Sequence, residues 1–247
     1  MSEAPAVLAL HGNLGTAADW EQIGLPELRS VDLWEHVGHD FFEFAETLAG
    51  PLSEGMERPL LAGYSLGGRL ALHALALHPD RWCGGVILSA HPGLCCVEDR
   101  LARSTSDAIW AERARTMEWE GFLDRWNDQP LFGEGSEELR ERQAVLVTRR
   151  EAIATAFERW SLGRQEDLRR SLGRFAGPVL WITGEKDERF TRIGEEMAEV
   201  FADFRQVVVP GCGHRVLEGG VEAVAGAMGT YFGIERGRSS DNPHNSR

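Results

Sequence analysis

Lysine is nearly absent from this 247-residue chain: Lys186 is the only one, and every other basic side chain is arginine. A GC-rich genome produces such a bias. Arginine also grips carboxylates with a planar, two-pronged fork wherever it lines a pocket. Basic charge as a whole is scarce: 26 Lys and Arg face 39 Asp and Glu, for a net charge of −13. A general nucleic-acid binder needs a basic face, so no nucleic-acid partner is expected. Cysteine is limited to Cys83, Cys95, Cys96 and Cys212. The neighbours Cys95 and Cys96 cannot easily bridge each other, and no zinc-ligand spacing occurs. Reduced thiols, a reducing compartment and no metal are therefore expected. No apolar run approaches the ~20 residues that cross a bilayer. The opening MSEAPAVLALHG has no basic segment, and its apolar run is too short for a secretory signal. The expectation is a soluble, cytoplasmic protein, either a monomer or a small homo-oligomer.

Apolar residues make up 43% of the chain, enough for a sizeable core. Short apolar runs that read as strands alternate with segments of helical spacing. Strands are expected at 6–10, 28–33, 58–63, 83–90, 177–184 and 205–211. Helices are expected at 41–52, 65–79, about 190–202 and about 218–232. Alternation of this kind predicts an α/β fold, a mostly parallel sheet with helices on both faces. Ligands of such sheets sit beyond the carboxyl ends of the strands. Residues 95–175 break the rhythm: they hold no convincing strand and two long amphipathic stretches, 97–126 and 136–160. We read 1–94 and 176–235 as the core, 95–175 as a helical cap inserted after the fourth strand, and the polar 236–247 as a disordered tail.

Gly63-Tyr64-Ser65-Leu66-Gly67 fits G-x-S-x-G between an expected strand and an expected helix, and that context gives the pattern its weight. Glycines permit a tight turn that lifts the serine clear of the backbone. The helix start offers N–H groups and a positive dipole end to any anion forming there. A serine hydroxyl needs a base, and the base needs a carboxylate to orient it. Asp187, in WITGEKDERF, follows one late strand, with Glu185 as the alternative acid. His214, in VVVPGCGHRVLEG, follows the last strand. His11, His36, His39, His73, His78 and His91 compete for the base role, but only His214 combines a late-strand loop with flanking glycines. An oxyanion hole would use the backbone N–H of Leu66 and one from the first loop near Asn13.

With these residues in place, the chain resembles the α/β-hydrolase superfamily and, more narrowly, the SHCHC synthases of menaquinone biosynthesis. The resemblance is carried by GYSLGGR (63–69), HPGL (91–94), SDAIW (106–110), RWNDQPLF (125–132), SLGRQEDL (161–168), GEKDERF (184–190) and GCGH (211–214), and it spans about 6–232. It implies a lyase that removes pyruvate from 2-succinyl-5-enolpyruvyl-6-hydroxy-3-cyclohexene-1-carboxylate without any cofactor. In it Ser65 acts as a base, activated by His214 and Asp187. The resemblance also implies that Tyr64, Arg69, Arg103 and Trp126 contact a small anionic carboxylate substrate.

Several positions depart from the family pattern. The loop after the second strand reads DLWEHVGHD (32–40) in place of D-x-P-G-H-G. Asn127 stands where some relatives have tyrosine. A further cap arginine corresponds to Arg149 or Arg150, with the register open. The chain starts at what is usually the third strand of the fold. A carboxylic-ester or C–C bond hydrolase using the same three residues is the alternative to the lyase; a non-catalytic binder of the same fold fits an intact Ser-His-Asp set poorly.

Overall fold

A computed structural model describes residues 4–25, 27–133 and 135–234. The tail expected at 236–247 lies outside them. Six strands, β1 (Val7–Leu10), β2 (Leu28–Val31), β3 (Leu60–Tyr64), β4 (Gly84–Leu88), β5 (Val179–Gly184) and β6 (Phe204–Val209), form one sheet in the order β2-β1-β3-β4-β5-β6. Every neighbouring pair is parallel. The four central strands are buried except at Tyr64, the last residue of β3. Both their faces are covered, so they read as near-continuous apolar runs. Helices α1 (Phe41–Ala49) and α2 (Leu66–Leu77) pack against each other on one side. Between β4 and β5 lie α3 (Val97–Thr116), α4 (Trp119–Asn127), α5 (Glu137–Ala144), α6 (Arg150–Arg159) and the short α7 (Arg169–Leu172). After β5 come α8 (Glu188–Met197), α9 (Val216–Gly219) and α10 (Val221–Phe232). No described helix is long and apolar enough to cross a membrane, and all four cysteines are unpaired.

Strand order places the site. The chain leaves β1 toward β2 on one side and leaves β3 toward β4 on the other. The loops at the carboxyl ends of β1 and β3 therefore diverge, and a crevice opens between them. The β1 loop carries Asn13 and the β3 loop carries Ser65.

Both long amphipathic stretches break. The first divides at Met117 and Glu118, which adopt extended backbone, into α3 and α4. No proline or glycine marks the spot. Instead the Arg150 guanidinium donates to the carbonyls of Ala114 and Met117 at 2.9 and 2.7 Å, satisfying groups that a helix end leaves open. The second divides into α5, a tight 3₁₀ stretch at Val145–Arg149, and α6. The last expected helix is likewise two, α9 and α10, with Gly220 between them.

Candidate active site

The turn after β3 is built around two close approaches. Gly67 packs so tightly on the end of β1 that an added Cβ would sit 2.3 Å from the Leu10 carbonyl oxygen. Its N–H donates to the carbonyl of His11 at 3.0 Å. This contact forces a sharp exit from the strand, and Ser65 takes up the strain with φ 51°, a region costly for a residue with a Cβ. Ser65 is thereby held at the helix start. Leu66, the first helical residue, has no intrahelical acceptor for its N–H.

The two later loops are locked together by backbone. At Gly184 an added Cβ would fall 2.2 Å from the Gly213 carbonyl oxygen, and the Lys186 N–H donates to the Cys212 carbonyl at 2.8 Å. Asp187 and His214 consequently meet: His214 Nδ1 lies 2.7 Å from Asp187 Oδ2, and its Nε2 lies 3.0 Å from Ser65 Oγ. A carboxylate only accepts, so Nδ1 carries the proton and Nε2 faces the serine hydroxyl as an acceptor. Asp187 and His214 are buried. This chain can draw the proton from Ser65 when a substrate calls for it. Glu185, the alternative acid, instead accepts the Gly211 N–H at 2.8 Å and pins that turn.

The other histidines have separate places. His11 Nδ1 lies 2.8 Å from the Gly12 carbonyl, and its Nε2 accepts the Leu33 N–H, so it ties the first two strand loops together. His73 stacks on Phe41 at 4.3 Å, and burial pushes it down to about 3. His78 faces Glu46 on the surface. His36 and His39 stack on each other in the 32–40 loop. His91 is in the cavity wall. Burial, followed by Arg189 and other nearby arginines, pushes it down to about 3. Its Nδ1 accepts the Gly93 N–H, so the neutral ring keeps its proton on Nε2.

One cavity gathers Asn13, Tyr64, Ser65, Arg69, Arg103, Trp126 and His214. Tyr64 packs beside His214, and burial pushes its phenol up. Arg69 is buried and donates to the Trp160 carbonyl at 2.7 Å and to Gln165 Oε1 at 3.3 Å. Burial, then Arg103, pushes its guanidinium down to about 9, still charged at neutral pH. Arg103 spends only Nε, on both oxygens of Asp107 at 2.9 Å, and its two terminal nitrogens have no partner among the described residues. Trp126 is wedged edge-on against Trp110 and Phe157. Arg149 and Arg150 do not line the cavity. Arg150 closes α3 as described, and Arg149 pairs with Asp32 and Glu35. The 32–40 loop also stays outside the cavity. It braces the site from behind, with Trp34 Nε1 donating to the Gly15 carbonyl at 2.8 Å.

The structure adds wall residues to which sequence reasoning gave no role: Ser89, His91, Trp110, Phe132 and Phe190. The last four lie inside the segments that carry the family resemblance, which was the available signal. Ser89 had none; it is buried with φ 45° directly beyond β4.

Comparison with known proteins bears on the family and the fold. The model of the Alpha/beta hydrolase family matches residues 7–227. The 2-succinyl-6-hydroxy-2,4-cyclohexadiene-1-carboxylate synthase of Enterobacter sp. (strain 638) is 32% identical over 240 residues, covering 91% of this chain and 90% of that protein. The synthase of the same name from Pectobacterium atrosepticum is 35% identical over 210 residues, covering 78% and 81%. Among solved structures, MenH from S. aureus superposes with a TM-score of 0.80 at 22% identity, covering 93% of this chain and 95% of that one, which speaks to the fold. A fold, a matching family model and relatives of this identity over most of their length lead to one conclusion: the chain belongs to the alpha/beta hydrolase family and, within it, to the 2-succinyl-6-hydroxy-2,4-cyclohexadiene-1-carboxylate synthases.

Proposed function

We propose that this protein eliminates pyruvate from 2-succinyl-5-enolpyruvyl-6-hydroxy-3-cyclohexene-1-carboxylate to form 2-succinyl-6-hydroxy-2,4-cyclohexadiene-1-carboxylate, a step of menaquinone biosynthesis. The observation that carries the reading is a Ser-His-Asp chain opening into a cavity walled by Arg69 and Arg103, in a chain whose relatives bear that product's name. An esterase for neutral esters has no need of two cations there.

The bonds follow from the two structures of the substrate and product. The hydrogen at ring carbon 2, α to the succinyl carbonyl, is lost, and a C2=C3 bond forms. The old C3=C4 bond moves to C4=C5, and the C5–O bond breaks. Ser65 Oγ removes the proton and passes its own to His214 Nε2. Asp187 stabilises the imidazolium that results. The succinyl carbonyl becomes an enolate, held by the N–H groups of Leu66 and Asn13; a single such donor is worth about 3–4 kcal/mol of barrier. Electrons return from the enolate as the leaving oxygen departs. The enolpyruvate takes up a proton and becomes pyruvate. Ser65 is then a proton carrier, not an acyl acceptor. Arg69, Arg103 and Tyr64 hold the carboxylates, and Trp126 covers the ring.

The test is an assay of pyruvate release and diene absorbance from the enolpyruvyl substrate. Both should appear together in equal amounts. No pyruvate, with a burst from an activated ester and an acylated Ser65, would replace the lyase with a hydrolase.

A further inference from the structure

Arg215 directly follows His214 and has no part in the chemistry above. It is 9% exposed, and burial pushes its guanidinium down. Among the described residues no carboxylate pairs with it. Nη2 donates to Asn127 Oδ1, and Nη1 is buried without a partner among those residues. A cation buried on such terms is weak evidence for stability. Its contacts point elsewhere. The guanidinium carbon lies 4.5 Å from the centre of the Phe132 ring. That ring meets His214 nearly edge-on at 5.8 Å and leans on Trp126 at 5.2 Å. Asn127, the residue after Trp126, is fixed at its other end, its Nδ2 donating to Gln143 Oε1 at 2.8 Å. Buried Gln143 in turn accepts the Trp119 Nε1–H at its carbonyl. One side chain from the strand-end loop thus touches the helix and the loop that supply two cavity walls.

We propose that Arg215 is a positioning residue: it clamps Asn127 and Phe132 of the helical insertion against the loop carrying His214, so that the proton acceptor and the wall around Trp126 keep one register. The inference rests on the elimination reading for its kinetic readout. Phe132, held flat under the guanidinium, keeps water off the imidazole. A cation on an aromatic face and a hydrogen bond on its rim fix both distance and rotation.

The decisive variant is Arg215→Met, which keeps length and apolar contact with Phe132. Its kcat should fall roughly ten- to hundredfold, as for a small misplacement at a reacting centre, with KM within about threefold. Arg215→Lys, which keeps the cation, should recover most of the loss. Asn127→Ala should lose less than Arg215→Met, and the double variant should be no worse than Arg215→Met alone. The downfield proton signal of His214 Nδ1–H should be visible in the native protein and shifted or lost to water exchange in Arg215→Met. Wild-type kcat in Arg215→Met, a loss confined to KM, additive losses in the double variant, or an unchanged signal would each overturn the proposal. Should Arg215→Met not fold, unchanged kcat in Asn127→Ala overturns it alone. A native protein that releases no pyruvate defeats the elimination reading, while the His214 signal still reports on Arg215.

Discussion

The strand-end loops and the helical insertion hold their site residues by different means. Ser65, Asp187 and His214 are fixed by backbone: Gly67 against Leu10, Gly184 against Gly213, and hydrogen bonds between main chains. Arg103 and Trp126 are fixed by other side chains, namely the Asp107 carboxylate and a nest of aromatic rings. Backbone contacts leave little room for substitution. Side-chain contacts can be exchanged one at a time. The first region suits chemistry that must stay the same; the second suits a substrate that changes.

The largest effect tests the rigid half. Ser65→Ala should cut kcat/KM for the elimination by roughly 10²- to 10⁴-fold, the range for a lost general base, with binding of the product largely kept. Activity close to native would remove Ser65 from the mechanism. Next come the two arginines, Arg69 in the first turns of α2 and Arg103 on α3. Arg69 is buried and Arg103 half-exposed. Arg69→Ala should cost roughly ten- to hundredfold in kcat/KM, from the ~1.5–3 kcal/mol of a charged hydrogen bond. Arg103→Ala should cost less, because water screens its charge. The reverse order would break the comparison.

Two glycines sharpen it through stability. Gly67→Ala drives a Cβ onto the Leu10 carbonyl and should destabilise by about 1–3 kcal/mol. Gly121→Ala, inside α4, meets only the Met117 methyl at 3.8 Å and should stabilise by up to ~1 kcal/mol. Urea titrations decide both. A further effect on stability concerns pH. His73 is pushed down to about 3 in the fold, against an ordinary 6.5. The unfolded chain therefore takes up the proton first, and stability is full above that ordinary value and lost as pH falls toward the folded one. Between pH 6 and 4, His73→Phe should flatten the loss by about 1 kcal/mol per pH unit. An unchanged slope would mean that His73 titrates normally.

Much of the rigid half is legible in the sequence, because steric demands leave marks. The glycines around Ser65 and His214, and the apolar runs before them, place the three loops at the ends of β3, β5 and β6. Asp187 over Glu185 could only be preferred, since two acids two residues apart differ in direction, which the turn at Gly184 decides. The insertion is legible as helix but not as geometry. Its break at Met117 depends on Arg150, far along the chain, and no local propensity records it. For the same reason the register of Arg149 and Arg150 stayed open. The contact between Phe132 and Arg215 joins two regions that the sequence keeps far apart, and no local pattern records it.

The insertion leaves the core after β4 and returns at β5, and these strands are neighbours, with Gly85 beside Val179 and Leu88 beside Ile182. Because the pair is parallel, the excursion leaves at the carboxyl end of β4, on the cavity side, and returns to the amino end of β5 on the opposite rim of the sheet. A lineage can lengthen, trim or replace the whole excursion while the two strands remain paired beneath it. The fold is, in that sense, a socket: new substrates can be acquired by changing what is plugged into it, without rebuilding the loops that hold Ser65, Asp187 and His214.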